Sequence, residues 1–175
     1  MSPRRRTIHN QTIINLACDL LIEQGPGAIT FAQVAQRSGL APATLVQRFA
    51  TRDAMLAALA GGLTALVAPA FEGTAGSPLD RLRAGSARLA PAIGAALALS
   101  PDTGTGQFSL ALRKQVSFAL SSAIEAGELP RCDIAQLGRT IQIAIIGAVA
   151  NARLEGGDVD AEVLQAVDQQ LAAYV

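Results

Sequence analysis

No stretch of this chain alternates apolar and polar residues long enough to make a strand; its apolar residues recur three and four positions apart instead. Ile13, Leu16 and Leu20, with Ile14, Ala17 and Leu21, set a first amphipathic helix over about Ile8 to Gln24, which Gly25-Pro26-Gly27 stops. Thr30-Phe31-Ala32-Gln33 fits a capping box, so a short second helix opens at Thr30 and ends at Ser38-Gly39. Pro42 suits the first position of a third short helix reaching Phe49, although Ala41 offers it no side-chain acceptor. Thr51 caps a fourth helix. Ser77 and Pro78 open a fifth, which carries Leu79, Leu82 and Leu89 and is expected to break near Pro91. Helices over about Gln107 to Ala126 and Asp133 to Ala152, and a last one from just after Gly156-Gly157-Asp158 to near Tyr174, complete the chain. The prediction is an all-α fold of about nine helices. A three-helix helix-turn-helix domain (1–52) precedes a helical bundle (53–175).

The charges divide along the same line. Of 14 basic and 14 acidic residues, residues 1–60 hold six basic and three acidic, and the remainder eight and eleven. A basic head on an acidic body confines contact with a polyanion to the head. Six aromatic residues are too few for platforms that stack single-stranded nucleic acid. His9 is the sole histidine, which excludes a histidine-rich metal site or a Ser-His triad. No enzyme activity, metal or other cofactor is expected. Cys18 and Cys132 make no disulfide framework, and the polar residues Thr7, His9, Asn10 and Gln11 stand where a signal peptide needs an apolar core. The reading is cytoplasmic. Uncharged Ala54 to Phe71 nearly reaches across a bilayer, but its Ala, Gly and Pro content fits a buried bundle helix better than a membrane span.

Helix, tight turn at Ser38-Gly39-Leu40 and second short helix follow the pattern that presents a helix to the DNA major groove. The stretch from Ile13 to Leu59 resembles the DNA-binding domain of the tetracycline-repressor (TetR) family. Ala17, Gly25 or Gly27, Thr30, Val34-Ala35, Gly39-Leu40, Thr44-Leu45, Phe49, Arg52-Asp53 and Leu56 carry the likeness. The chain departs from the family pattern at Ala41, where a capping residue is usual, at Ala43, where Gly is usual, and at Val46, where a Tyr normally reaches a phosphate. Arg48 stands where His or Tyr is common, and Arg52 where Lys is.

On this reading Pro42, Ala43, Thr44 and Gln47 face DNA, with Gln47 bonding an adenine edge and Thr44 meeting a thymine methyl. Arg48, Arg52 and the Thr30 cap are expected to contact phosphate. Arg4, Arg5 and Arg6 form an arm toward the minor groove.

The resemblance implies a dimeric regulator of a palindromic operator in double-stranded DNA, most simply a repressor released by a small, largely apolar effector. Leu63, Val67, Phe71, Phe118 and Gln142 are the expected ligand-binding residues, and Gly61-Gly62 the expected bend in the helix linking head to body. Asp133 to Ala152 is apolar on two sides, with Ile134, Leu137, Ile141, Ile145 and Ala148 on one and Ile143, Ile146 and Val149 on the other. One side is free for a homodimer through the last two helices, with Gly147, Ala148 and Ala152 allowing close approach. The alternative is a helical small-molecule-binding or interaction module whose helix-turn-helix has lost operator recognition.

Overall fold

The structure, a computed structural model, describes residues 8–72 and 75–174, and among these it contains no strand. Arg4, Arg5 and Arg6 lie outside the described residues. Among the described residues nine α-helices follow one another: α1 (Asn10–Gln24), α2 (Phe31–Ser38), α3 (Pro42–Phe49), α4 (Arg52–Ala65), α5 (Val67–Phe71), α6 (Pro78–Leu97), α7 (Thr105–Glu125), α8 (Ile134–Glu155) and α9 (Val159–Leu171). Short 3-10 turns occupy Pro26–Ala28 and Pro101–Thr103.

Side-chain caps set most of the starts. Thr30, Thr51, Ser77, Asp133 and Asp158 each accept a backbone N–H of the helix that follows. The capping box is at Ser77, where Asp80 returns the bond to the Ser77 N–H. At Thr30 the expected box is only half made. The hydroxyl accepts the Gln33 N–H at 3.2 Å, but the Gln33 side chain accepts from that hydroxyl rather than from the backbone.

Three expectations change. Pro91 does not break α6, which continues to Leu97. Pro91 faces solvent, so the Ala87 carbonyl it deprives of a donor is open to hydration, while Leu82, Leu89 and Ile93 hold the buried face. The break in the helical run between head and body lies at Leu66, where α4 ends and α5 begins, while α4 is continuous through Gly61-Gly62. Pro69 cannot donate to the Ala65 carbonyl and its ring crowds it, so the helix tightens there, with the Leu66 N–H turned to Leu63 at 3.0 Å. Gly62 has a packing role instead: a Cβ there would lie 2.6 Å from Ile14 Cγ2 and 2.7 Å from Cys18 Sγ, so α4 rests directly on α1. The Cys18 thiol donates to the Leu59 carbonyl at 3.6 Å, and its burial, helped by the Asp19 charge, pushes its pKa up to about 12. Finally, Val149 belongs to the inward stripe of α8 with Leu137, Ile141, Ile145 and Ala152, leaving Ile143, half-buried Ile146 and Leu154 facing out.

Helix α4 serves two neighbours, packing on α1 in the head and on α7 in the body. Arg52–Phe71 is long and apolar enough to cross a membrane by length and composition, and half of that apolar window is buried inside the protein. Helices α6 to α9 pack on one another, and α9 lies across both α8 and α6. Arg83 ties α6 to α9 through Asp168 at 2.6 Å, a half-exposed pair of modest worth.

Candidate functional site

The head places two short helices around one apolar knot. Ile13, Leu21, Ile29, Val34, Leu45 and Met55 are fully buried, and Phe49 nearly so. Each of α2 and α3 therefore turns one face inward and shows the other to solvent. Gly39 closes α2 in the left-handed conformation, at φ 68°, and the Leu40 N–H reaches back to the Ala35 carbonyl at 3.1 Å. That sharp stop lets α3 begin three residues later at Pro42.

Pro42, Ala43, Val46 and Gln47 form the exposed face of α3, with Thr44 half-buried beside them. Val46 is 45% exposed and belongs to this surface. Sequence reasoning treated it only as a missing tyrosine, although the i, i+4 spacing to Pro42 was the signal. Gln47 is the sole amide on a face otherwise made of methyl and methylene groups. Such a face contacts thymine methyls readily and hydrogen-bonds one base edge.

The two arginines sit differently from the expectation of free phosphate ligands. Arg48 Nη1 donates to the Ile8 carbonyl at 2.5 Å and to Asn10 Oδ1 at 2.9 Å. Arg52 donates through Nε to Ile29 at 2.8 Å and through Nη2 to Pro26 at 2.7 Å. Each thus braces its helix against a distant backbone segment. Their partners are neutral, so both positive charges remain, and the guanidinium fork of each keeps further donors. Thr30 is exposed at the start of α2, with its hydroxyl engaged by Gln33. The exposed Arg37 is paired with Glu23 at 2.6 Å.

The head is also similar to a known family of domains. Residues 13–59 match the family model of bacterial regulatory proteins of the tetR family. That match takes in the head through the first half of α4. The whole chain has the TetR-type fold. A TetR-family regulator, PfmR from Thermus thermophilus, superposes with a TM-score of 0.60 at 24% identity over 91% of this chain and 97% of that one. SmeT, the repressor of the Stenotrophomonas maltophilia multidrug efflux pump SmeDEF, gives 0.68 at 20% identity, over 97% and 91%. The regulatory protein TetR from Rhodobacter sphaeroides gives 0.73 at 17%, over 97% and 100%. At these identities the likeness is one of fold. No curated protein matches the sequence.

In the TetR-type body the five expected ligand residues separate. Phe71 and Phe118 meet at an open cleft of about 620 Å³ between the end of α5, the start of α6 and the outer face of α7. Leu63 and Val67 are core, with at most 1% of their surface exposed. Gln142 is buried between α7 and α8 away from that cleft, where its amide accepts from Arg113 Nε at 2.9 Å and donates to Ser109 at 2.8 Å. A fully bonded amide holds two helices together and has little left for a ligand. Arg81 and Lys114, which the sequence did not single out, line the cleft beside the two aromatics.

Proposed function

We propose that the protein is a ligand-responsive transcriptional regulator, most simply a repressor, that binds a palindromic operator as a homodimer. The exposed face of α3, held by the α2 turn and the two arginine braces, carries this reading. Gln47 selects a base, while Pro42, Ala43, Thr44 and Val46 fit the methyl edge of the groove. Arg48 and Arg52 act on phosphate through their charge and remaining donors, together with Thr30 and the first N–H groups of α2. The arm of Arg4, Arg5 and Arg6 adds charge at the adjoining groove.

Outward-facing Ile143, Gly147 and Leu154 on α8, with 64% of Ile143 and 85% of Leu154 exposed, support a two-fold contact through α8 and α9. Ala148 and Ala152 lie half-buried and buried, so Gly147 is the position that allows close approach. SmeT, of the same fold, is also known as a complex with triclosan. An effector in the body would act by favouring the form whose two recognition helices do not fit adjacent half-sites.

In vitro selection of duplex DNA by the purified protein tests the reading. Enrichment of a palindrome is expected, with Gln47→Ala relaxing one position of each half-site by about 1–3 kcal/mol. A pool that stays random would instead support a binding module without operator recognition. Gly147→Glu should split the dimer in sedimentation and abolish specific binding.

A further inference from the structure

The cleft between α5, α6 and α7 has a chemistry of its own. Its cations are Arg81 and Lys114 and its one carboxylate is Glu72, in a body where acidic residues outnumber basic ones. Neither cation has a carboxylate within ion-pair distance among the described residues. Arg81 is anchored by Nε, which donates to the Gly76 carbonyl at 3.3 Å, leaving the outer edge of its guanidinium fork available. Lys114 stands one helical turn before Phe118, so ammonium and ring occupy the same face of α7. Phe118 leaves 70% of its surface in water, so its ring is open to a molecule in the cleft.

The walls are held in place. Phe71 lies flat on α6 because position 85 has no side chain; a Cβ there would come within 2.5 Å of the ring. Arg88 donates to the carbonyls of Ala70 and Glu72, at 3.1 and 3.3 Å, and so fixes the end of α5. Glu128, just beyond α7, accepts the Ser77 hydroxyl at 2.8 Å and the Leu79 N–H at 3.1 Å, pinning the start of α6 to the end of α7. A cleft braced on three sides loses little freedom when filled. Its volume of about 620 Å³ fits a drug-sized molecule.

We propose that this cleft binds a small amphipathic anion, an apolar or aryl body bearing one carboxylate, with Arg81 and Lys114 on the acid group and Phe118 and Phe71 against the body. It deepens the effector reading above and rests on it for its regulatory role. A guanidinium fork grips a carboxylate by two parallel bonds, and the ammonium adds a point charge, so a neutral analogue of the same shape loses both.

The probes are 2-naphthoate and its neutral counterpart 2-naphthamide, titrated into the full-length protein by calorimetry without DNA. The carboxylate should bind at least tenfold more tightly than the amide, and the difference should shrink as salt rises. Arg81→Gln with Lys114→Gln should abolish that preference while leaving the weak amide binding unchanged. Lys114→Gln alone should reduce it in part, and Arg131→Gln, which removes a charge outside the cleft, should do nothing. Phe118→Ala should weaken both probes. Equal binding of the two probes, a preference that survives the double substitution, or no naphthoate binding at millimolar concentration would each overturn the anion site. A separate arm measures operator affinity with naphthoate present. If naphthoate binds as described yet leaves DNA affinity unchanged, the anion site stands and its effector role falls.

Discussion

The glycine pair in α4 offers a measurement in which each residue is the other's control. Gly61 is exposed and a Cβ there would meet nothing within 4 Å, whereas the same atom at Gly62 would press on Ile14 and Cys18. Both are helix-interior positions, so Gly→Ala brings each the same propensity gain, about 1 kcal/mol. Only Gly62→Ala also overpacks the α1–α4 seam. Ile14 Cγ2 is attached to a β-branched carbon, which cannot turn away without entering a poor rotamer. Cys18 is almost fully buried, with its thiol bonded to Leu59. Overpacking of this kind costs about 1–3 kcal/mol. The propensity gain is common to both, so the gap between the variants equals the overpacking alone. At about 2–4 °C per kcal/mol for a chain of this size, the gap is on the order of 2–12 °C in Tm. Gly61→Ala should melt above the parent and Gly62→Ala at or below it, with all three scanned at one protein concentration because a dimer's Tm depends on it. Variants melting within about 1 °C of each other would refute the close packing inferred at Gly62. A large drop at Gly61→Ala would show that its open surface is covered in solution.

Ala50, at the end of the recognition helix, sits at φ 59° and ψ −55°, with the Thr51 N–H folded back on the Phe49 carbonyl at 2.6 Å. That tight three-residue turn is strained for any residue with a Cβ, so Ala50→Gly should stabilise by up to about 1 kcal/mol after the unfolded-state entropy is counted, and Ala50→Val should destabilise; urea midpoints give both signs. Glu128→Ala should cost about 1–2 kcal/mol by leaving the Ser77 and Leu79 donors without their carboxylate, and Glu128→Gln should lose less, again by urea titration. The buried Cys18 thiol, its pKa raised from 9.0 to about 12, keeps its proton in the folded state where the unfolded chain has lost it. Its contribution to stability is therefore complete below about pH 9 and falls as pH rises from there toward 12; midpoints at about pH 8 and about pH 10.5 should diverge more for the parent than for Cys18→Ala. Under native conditions at about pH 8, Cys132 should react with a thiol reagent well before Cys18.

What could be read in advance was local. Helix starts depend on one side chain reaching three residues ahead, and Thr30, Thr51 and Ser77 were legible for that reason. Prolines were harder, because their effect depends on where the orphaned carbonyl points. Pro91 leaves α6 intact with its orphaned carbonyl on the solvent side, while Pro69 goes with the end of α4 at Ala65, four residues before it. Period alone does not distinguish these cases. The cleft was half legible: Phe71 and Phe118 were among the residues the resemblance put at the ligand, but Arg81 and Lys114 are ordinary surface charges until two helices bring them to one opening. Gln142 was misplaced for the converse reason, since its partners Ser109 and Arg113 lie on another helix.

The arginines of the head carry the broader physical point. Arg48 finds its partners 40 and 38 residues away, and Arg52 finds its own 23 and 26 away, so nothing in their neighbourhood distinguishes a brace from a phosphate ligand. Once placed, each does two things, of which a lysine could do only the second. Each guanidinium's donors hold neutral oxygens, Arg48 tying α3 to the start of α1 and Arg52 tying the start of α4, just past α3, to the turn before α2, and its full charge is undiminished by those partners. Charge sets affinity for any duplex and its dependence on salt, whereas the pose of α3 sets which bases Gln47 reaches. Arg52→Lys separates these roles, because it keeps the charge and removes the two-pronged hold on Ile29 and Pro26. Salt dependence of binding to random DNA should stay as in the parent, while preference for the selected sequence falls. Arg52→Gln should lower both. Loss of nonspecific affinity in Arg52→Lys equal to that in Arg52→Gln would mean that the guanidinium itself grips a phosphate, and that the brace matters little for recognition.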